Sequence, residues 1–234
     1  MFRLTKINRF LSETTFVGLY FSFAIIEILA EIVSFRSILF AFKPFSLIVL
    51  MSLYWVTSRR RSFIFFIIIF FSLVSCIFIE IDPKKLLLFA VISFVIHRSL
   101  LILYILELNK TKDCVPIIIA FFPIFFIFSY LISISVEIPE STYYYLVIQN
   151  VLVSIIGGIA LSHYYMNETK ESAWLSIFGL LSFGLYFIVF IEKWFLANLT
   201  ITYFRPLGMV LYTMAYYSFY KFVIDSERLT DESQ

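Results

Sequence analysis

The sequence predicts an all-α integral membrane protein, a polytopic bundle of about eight transmembrane helices. Three observations predict it. Hydrophobic residues make up 62% of the 234 and charged residues only 15%, against about 45–50% apolar and about 25% charged in an ordinary soluble domain. The apolar residues fall in runs of about 20, the length at which a helix crosses a bilayer. Lys and Arg gather in alternate gaps between those runs, as loop charge does in membrane proteins.

The runs follow in order. The first, Thr15 to Ser34, comes after a polar, basic segment, residues 1–14, that carries Arg3, Lys6 and Arg9. It is long and lacks a small-residue cleavage site, so it reads as a retained anchor and not as a signal peptide. Ser37 to Val56 begins after Arg36 and stops before Arg59-Arg60-Arg61. Ser62 to Ile81 closes at Asp82-Pro83-Lys84-Lys85, and Leu86 to Leu106 closes ahead of Lys110 and Lys112. Val115 to Val136 ends at Glu137, Pro139 and Glu140. Thr142 to Tyr165 ends before Lys170, Ala173 to Phe190 before Glu192 and Lys193, and Leu199 to Val223 completes the bundle, residues 15–224. The polar stretch Asp225 to Gln234, residues 225–234, is expected as a frayed cytoplasmic tail. Loops this short make sequential helices antiparallel neighbours and leave no room for a soluble domain.

With the N-terminus inside, the inside segments hold Arg3, Lys6, Arg9, Arg59, Arg60, Arg61, Lys110, Lys112, Lys170, Lys221 and Arg228. The outside segments hold Arg36, Lys84, Lys85 and Lys193, with Asp82, Glu137, Glu140 and Glu192 beside them. The positive-inside rule therefore expects both termini in the cytoplasm and the chain in a bounding membrane.

A net charge of +2 and the lack of any basic recognition motif exclude nucleic acid as a partner; membrane lipids are the expected one. Cys76 and Cys114 have no metal-ligand spacing and read as free thiols. There is no nucleophile elbow, phosphate-binding glycine loop or histidine metal motif, so neither a metal nor a cofactor is expected.

Charge at depth carries the message, because an ionisable group within the hydrocarbon costs roughly 2.5–3.5 kcal/mol on insertion scales and faces the bundle interior. Glu27 and Glu31 lie one helical turn apart on one face. Like charges so placed do not both ionise comfortably, and a carboxyl that keeps its proton can act as a general acid. Lys43, Arg98 and Arg205 are the cations available to meet them. At 1.5 Å per residue Glu27, Lys43 and Arg205 each sit roughly 9 Å inside the outer end of their helices. His97 and Arg98 fall near mid-span and, being consecutive, point about 100° apart, so only one need face the interior. The expectation is a polar pocket opening outward, with Glu27, Glu31 and His97 as candidate acid/base groups and Lys43, Arg98 and Arg205 as candidate binders of a charged headgroup. Ion pairs that fix helix packing are the competing account. Pro44 and Pro206 each follow a cation and are expected to loosen the backbone locally; Gly157-Gly158 suits close helix approach.

From about Lys43 to Tyr220 the chain resembles the YhhN family of membrane proteins, which includes lysoplasmalogenases. Lys43-Pro44-Phe45 is similar to the family's Lys-Pro-Leu, and Phe71-Ser72-Leu73 to the approach to its Gly-Asp pair. Gly179 to Phe195 is similar in outline to a later family segment, and Arg205-Pro206-Leu207-Gly208-Met209 with Tyr212 and Ala215 to its closing helix. The resemblance implies eight spans and, together with the positive-inside loops, a place in the bacterial inner membrane. It also implies action on a lysophospholipid: hydrolysis of the vinyl ether bond of a lysoplasmalogen, with release of a fatty aldehyde. At the family's two aspartate-bearing positions this chain has Ser75-Cys76 and Tyr186-Phe187, and Arg98 stands where the family has histidine, with His97 beside it. Alternatives to a hydrolase are a lipid-binding or accessory protein of the same fold and a small transporter.

Overall fold

The computed structural model describes residues 2–33, 35–81, 85–108, 115–135, 138, 140–166, 170–196 and 203–232. Asp82, Lys84, Lys110, Lys112, Cys114 and Glu137, named above, lie outside the described residues, as do the side chains of Arg3, Lys6, Arg9, Arg36, Glu140 and Lys170. The described residues form eight helices: α1 (Phe2–Ile32), α2 (Arg36–Thr57), α3 (Phe63–Ile81), α4 (Leu87–Leu108), α5 (Val115–Ile134), α6 (Glu140–Met166), α7 (Lys170–Trp194) and α8 (Phe204–Glu232). Five of them carry apolar stretches long enough to cross a bilayer: α1 from Ser12, α4, α5, α6 from Thr142 and α7 from Ala173. The apolar parts of α2 and α3, Phe42–Thr57 and Phe63–Ile79, are shorter. The fold is an all-α integral membrane bundle.

Sequential helices pack as hairpins, and α8 closes the bundle by touching α1, α2, α4 and α7. Two ion pairs fix the ends. Lys221, eleven residues before the end of α8, meets Glu13, eleven residues past the start of α1, at 3.3 Å. Arg205 at the start of α8 meets Glu31 at the end of α1. The two termini therefore leave from the same end of the bundle, as an even number of antiparallel helices requires.

Helix lengths differ from expectation at both termini. α1 begins at Phe2, so the polar segment before Thr15 continues the helix. α8 runs to Glu232, which overturns the expected frayed end at Asp225. The turn at Ser226 and Glu227 is held by packing, since both residues are buried.

The core lies where α8 meets α2, α3, α4 and α7, with Leu50, Phe65, Ile105, Leu175, Phe219 and Phe222 wholly buried. Phe65 and Phe219 stack at 5.7 Å. A second cluster around Phe128 and Phe190 joins α5, α6 and α7. Among the described residues α5 lies close to α6 and reaches α7 through the Phe128 ring, and it shows Ile118, Ile119, Phe122, Phe126 and Ile127 outward, a lipid-facing surface that water would not tolerate.

α2 continues unbroken through Pro44 and α5 through Pro123. Pro206 falls in the first turn of α8, where helix donors have no partner in any case. The glycines do the work expected of Gly157-Gly158. A Cβ on Gly158 would lie 2.8 Å from the Ile117 carbonyl oxygen, and one on Gly179 would lie 2.2 Å from the Ala160 Cβ. The α5–α6 and α6–α7 contacts thus depend on a missing methyl group.

Gly179→Ala is expected to force α6 and α7 apart at a cost of about 1–3 kcal/mol, the usual range for overpacking. Thermal unfolding in detergent should show a lowered midpoint, and Ala160→Gly in the same chain should restore most of it.

Candidate functional site

Three polar centres emerge, and the charges singled out in the sequence divide among them. The first sits where α1, α7 and α8 meet. Arg205 Nε donates to Glu192 Oε1 at 2.7 Å, and its Nη1 lies 3.6 Å from Glu31 Oε1. The Arg205 side chain remains 61% exposed. Glu27, one turn deeper on the face that carries Glu31, is only 2% exposed. Close by, Tyr20 donates to the Thr213 carbonyl at 2.9 Å and ties α1 to α8. Depth counting had matched Arg205 with Glu27 and Lys43, about 9 Å inside their helices. α8 instead begins at Phe204, which leaves Arg205 in its first turn and pairs it with Glu31, one turn from Glu27. Glu192, placed by sequence in an outside loop, completes the group from α7. Lys43 is half-buried on α2, the neighbour of α1, and its carbonyl accepts from Ser46 Oγ.

His97 belongs to a second centre, among α3, α4 and α8. Its Nδ1 is 2.8 Å from the Ile68 carbonyl oxygen, which can only accept, so Nδ1 carries the proton. In the neutral ring Nε2 then accepts from the Tyr216 hydroxyl at 3.1 Å. With that proton committed, Ser72 donates to Tyr216, Tyr212 donates to Ser72 at 3.0 Å, and the Cys76 thiol donates to Tyr212 at 3.4 Å. One backbone carbonyl thereby sets the direction of five successive hydrogen bonds.

Arg98 points the other way from the same helix. It donates through Nη1 to Gln149 Oε1 of α6 and lies over the Tyr186 ring of α7, with Cζ 4.7 Å from the centroid. Gln149 is itself oriented by a 3.3 Å bond from Nε2 to the Val91 carbonyl. Both members of the His97-Arg98 pair face protein, which the sequence reading had required of only one. Neither has Glu31 or Arg205 among its partners, so the six candidates do not form a single pocket.

The third centre was missed by sequence reasoning. Glu227, 4% exposed, accepts from Tyr54 at 2.5 Å and from Ser58 at 2.6 Å, with Tyr104 at 3.5 Å. The two close donors in turn accept from the backbone: Ser62 N–H bonds to Tyr54 Oη at 2.9 Å and Arg61 N–H to Ser58 Oγ at 2.8 Å. This carboxylate therefore anchors the α2–α3 turn, where Arg61 adopts φ 48°.

Comparison with family models, with curated proteins and with solved structures finds no match to this chain.

Among the described residues an apolar groove of about 430 Å³ runs between Phe16 of α1, Ile48, Met51, Ser52 and Trp55 of α2, and Phe66 of α3. None of its lining residues is charged, and it is separate from all three polar centres.

Glu227→Leu is expected to leave two buried hydroxyl donors without an acceptor, at about 1–3 kcal/mol each. The midpoint of thermal unfolding should fall, and Tyr54→Phe added to Glu227→Leu should destabilise less than the two substitutions summed, because removing both partners removes the orphan.

Proposed function

We propose that the chain is a YhhN-like integral membrane protein that binds a lysophospholipid at the α1–α7–α8 end without hydrolysing it. The observation that carries this reading is the convergence of Arg205 with Glu31 and Glu192 from three different helices. A half-exposed guanidinium retains donors for a phosphate, and the flanking carboxylates suit the ammonium of a zwitterionic headgroup. The positive-inside pattern supports a bacterial inner membrane with both termini cytoplasmic, which puts this centre on the outer side.

Hydrolysis of a vinyl ether needs an acid that protonates carbon and a base that activates water. Cys76 and Phe187 at the family's aspartate positions supply neither. Both nitrogens of His97 are engaged within the protein. Glu27, deeply buried beside Glu31, is the one residue that favours the second reading, a hydrolase, because a carboxyl so placed can hold a proton to donate.

The test is to purify the chain in detergent, identify retained lipids by mass spectrometry, and follow aldehyde release from lysoplasmalogen, with Glu27→Gln and Arg205→Ala in parallel. Binding without turnover expects a lysophospholipid that Arg205→Ala loses and no aldehyde from any form. Aldehyde release that disappears in Glu27→Gln would establish the hydrolase instead. A preparation that neither retains nor cleaves a lysophospholipid sinks both readings.

A further inference from the structure

Arg98 lies near the middle of α4, some 15 Å from either end at 1.5 Å per residue. Its polar partners are neutral: the Gln149 amide oxygen and the face of Tyr186. Among the described residues no carboxylate stands within ion-pair distance of it. Arg98 is half-buried there, and a cation at that depth is costly to hold. A ring face and one hydrogen bond to a neutral amide return only part of that cost.

A second observation comes from α7. Tyr186 is 8% exposed, and its buried hydroxyl has no hydrogen-bond partner among the described residues. Burying a hydroxyl with no partner is unfavourable, so an unsatisfied donor next to an unneutralised guanidinium is doubly unfavourable unless one ligand answers both. Arg98 spends Nη1 on Gln149 and keeps further N–H donors on a rigid planar fork, the geometry that matches an oxyanion. Gln149 is held by the Val91 carbonyl, so the fork is oriented before any ligand arrives.

We propose that Arg98, with the Tyr186 hydroxyl, forms a mid-bundle binding site for an oxyanion of the phosphate or carboxylate class between α4, α6 and α7. The site shares no residue with the Arg205 centre and does not rest on the lysophospholipid reading. The oxyanion has two possible sources, a free inorganic ion or the headgroup of an amphiphile that enters between the helices.

The experiment uses the full chain, delipidated in an uncharged detergent and carrying Arg205→Ala so that the end-of-bundle centre contributes nothing. Thermal stability is followed while inorganic phosphate is titrated in one arm and oleoyl lysophosphatidate in the other, at constant ionic strength. A saturable rise with phosphate identifies a free-ion site; a saturable rise with the lipid alone identifies a headgroup site. In either case Tyr186→Phe should weaken the apparent affinity roughly tenfold, the equivalent of one hydrogen bond to a charged group. Arg98→Gln should abolish the response. Should Arg98→Gln not fold, Arg98→Lys keeps the charge without the fork and should bind at least about tenfold more weakly. Failure of both ligands to saturate, or unchanged affinity in Arg98→Lys and Tyr186→Phe, overturns the proposal.

Discussion

Everything in this bundle is arranged around one constraint: α8 is the helix with most neighbours, and it carries its polar groups through an apolar interior. An unpaired buried donor or acceptor costs about 1–3 kcal/mol, and lipid offers no replacement for a missing partner. Hence Tyr20 of α1 finds an acceptor in the Thr213 carbonyl because α1 lies against α8. Tyr212 and Tyr216 find Ser72, Cys76 and His97, Tyr220 donates to Thr57 at 3.0 Å, and Glu227 gathers Tyr54 and Ser58. The positions of α2, α3 and α4 around α8 are set as much by these bonds as by the Phe65–Phe219 stack. Helices without such obligations, α5 above all, stay at the periphery and face lipid.

Direction matters as well as satisfaction. A hydroxyl can donate or accept, so a chain of hydroxyls is ordinarily free to reverse. Here the Ile68 carbonyl cannot donate, and that fixes the His97 tautomer and each proton behind it as far as Cys76. The result joins three helices with a single hydrogen-bond pattern. It also explains why a histidine at mid-span need not be a catalyst: an imidazole whose two nitrogens are already committed performs a packing task that no apolar residue of its size could.

The existence and order of all eight helices were legible because runs of about 20 apolar residues separated by charge have few other solutions. Their ends were less so. Asp225 to Glu232 has the composition of a solvated tail, and composition says nothing about a carboxylate that will be enclosed by two hydroxyls from a helix far away in sequence. The depth count chose Glu27 in place of Glu31 because it started the last helix at Leu199 and not at Phe204, although that Arg205 would meet the acidic face of α1 was legible from the charges. Glu192 was not, since its helix continues past the point where its apolar run stops. The hydrogen-bonded centre left a trace in the sequence: Ser72 and Cys76 on α3, and Tyr212 and Tyr216 on α8, are each spaced to share a helix face. A stripe of hydroxyls on two membrane helices marks a place where they meet, and that signal is easily lost among the aromatic residues of such a chain.

The two arginines show how differently a membrane bundle can hold the same group. Arg205 sits at the end of its helix with two carboxylates and an exposed side, so solvent and headgroups share the work and its presence demands no deep ligand. Arg98 is half-buried at mid-span with no carboxylate at hand among the described residues, and its neighbours suit its geometry more than its charge: an amide locked by a backbone carbonyl and a tyrosine ring against the guanidinium. Packing alone does not account for such a residue, because a leucine at that position would fill the space between α4, α6 and α7 without the desolvation penalty. A cation retained there, beside a buried tyrosine hydroxyl with no partner among the described residues, is most economically explained by an anion that reaches it.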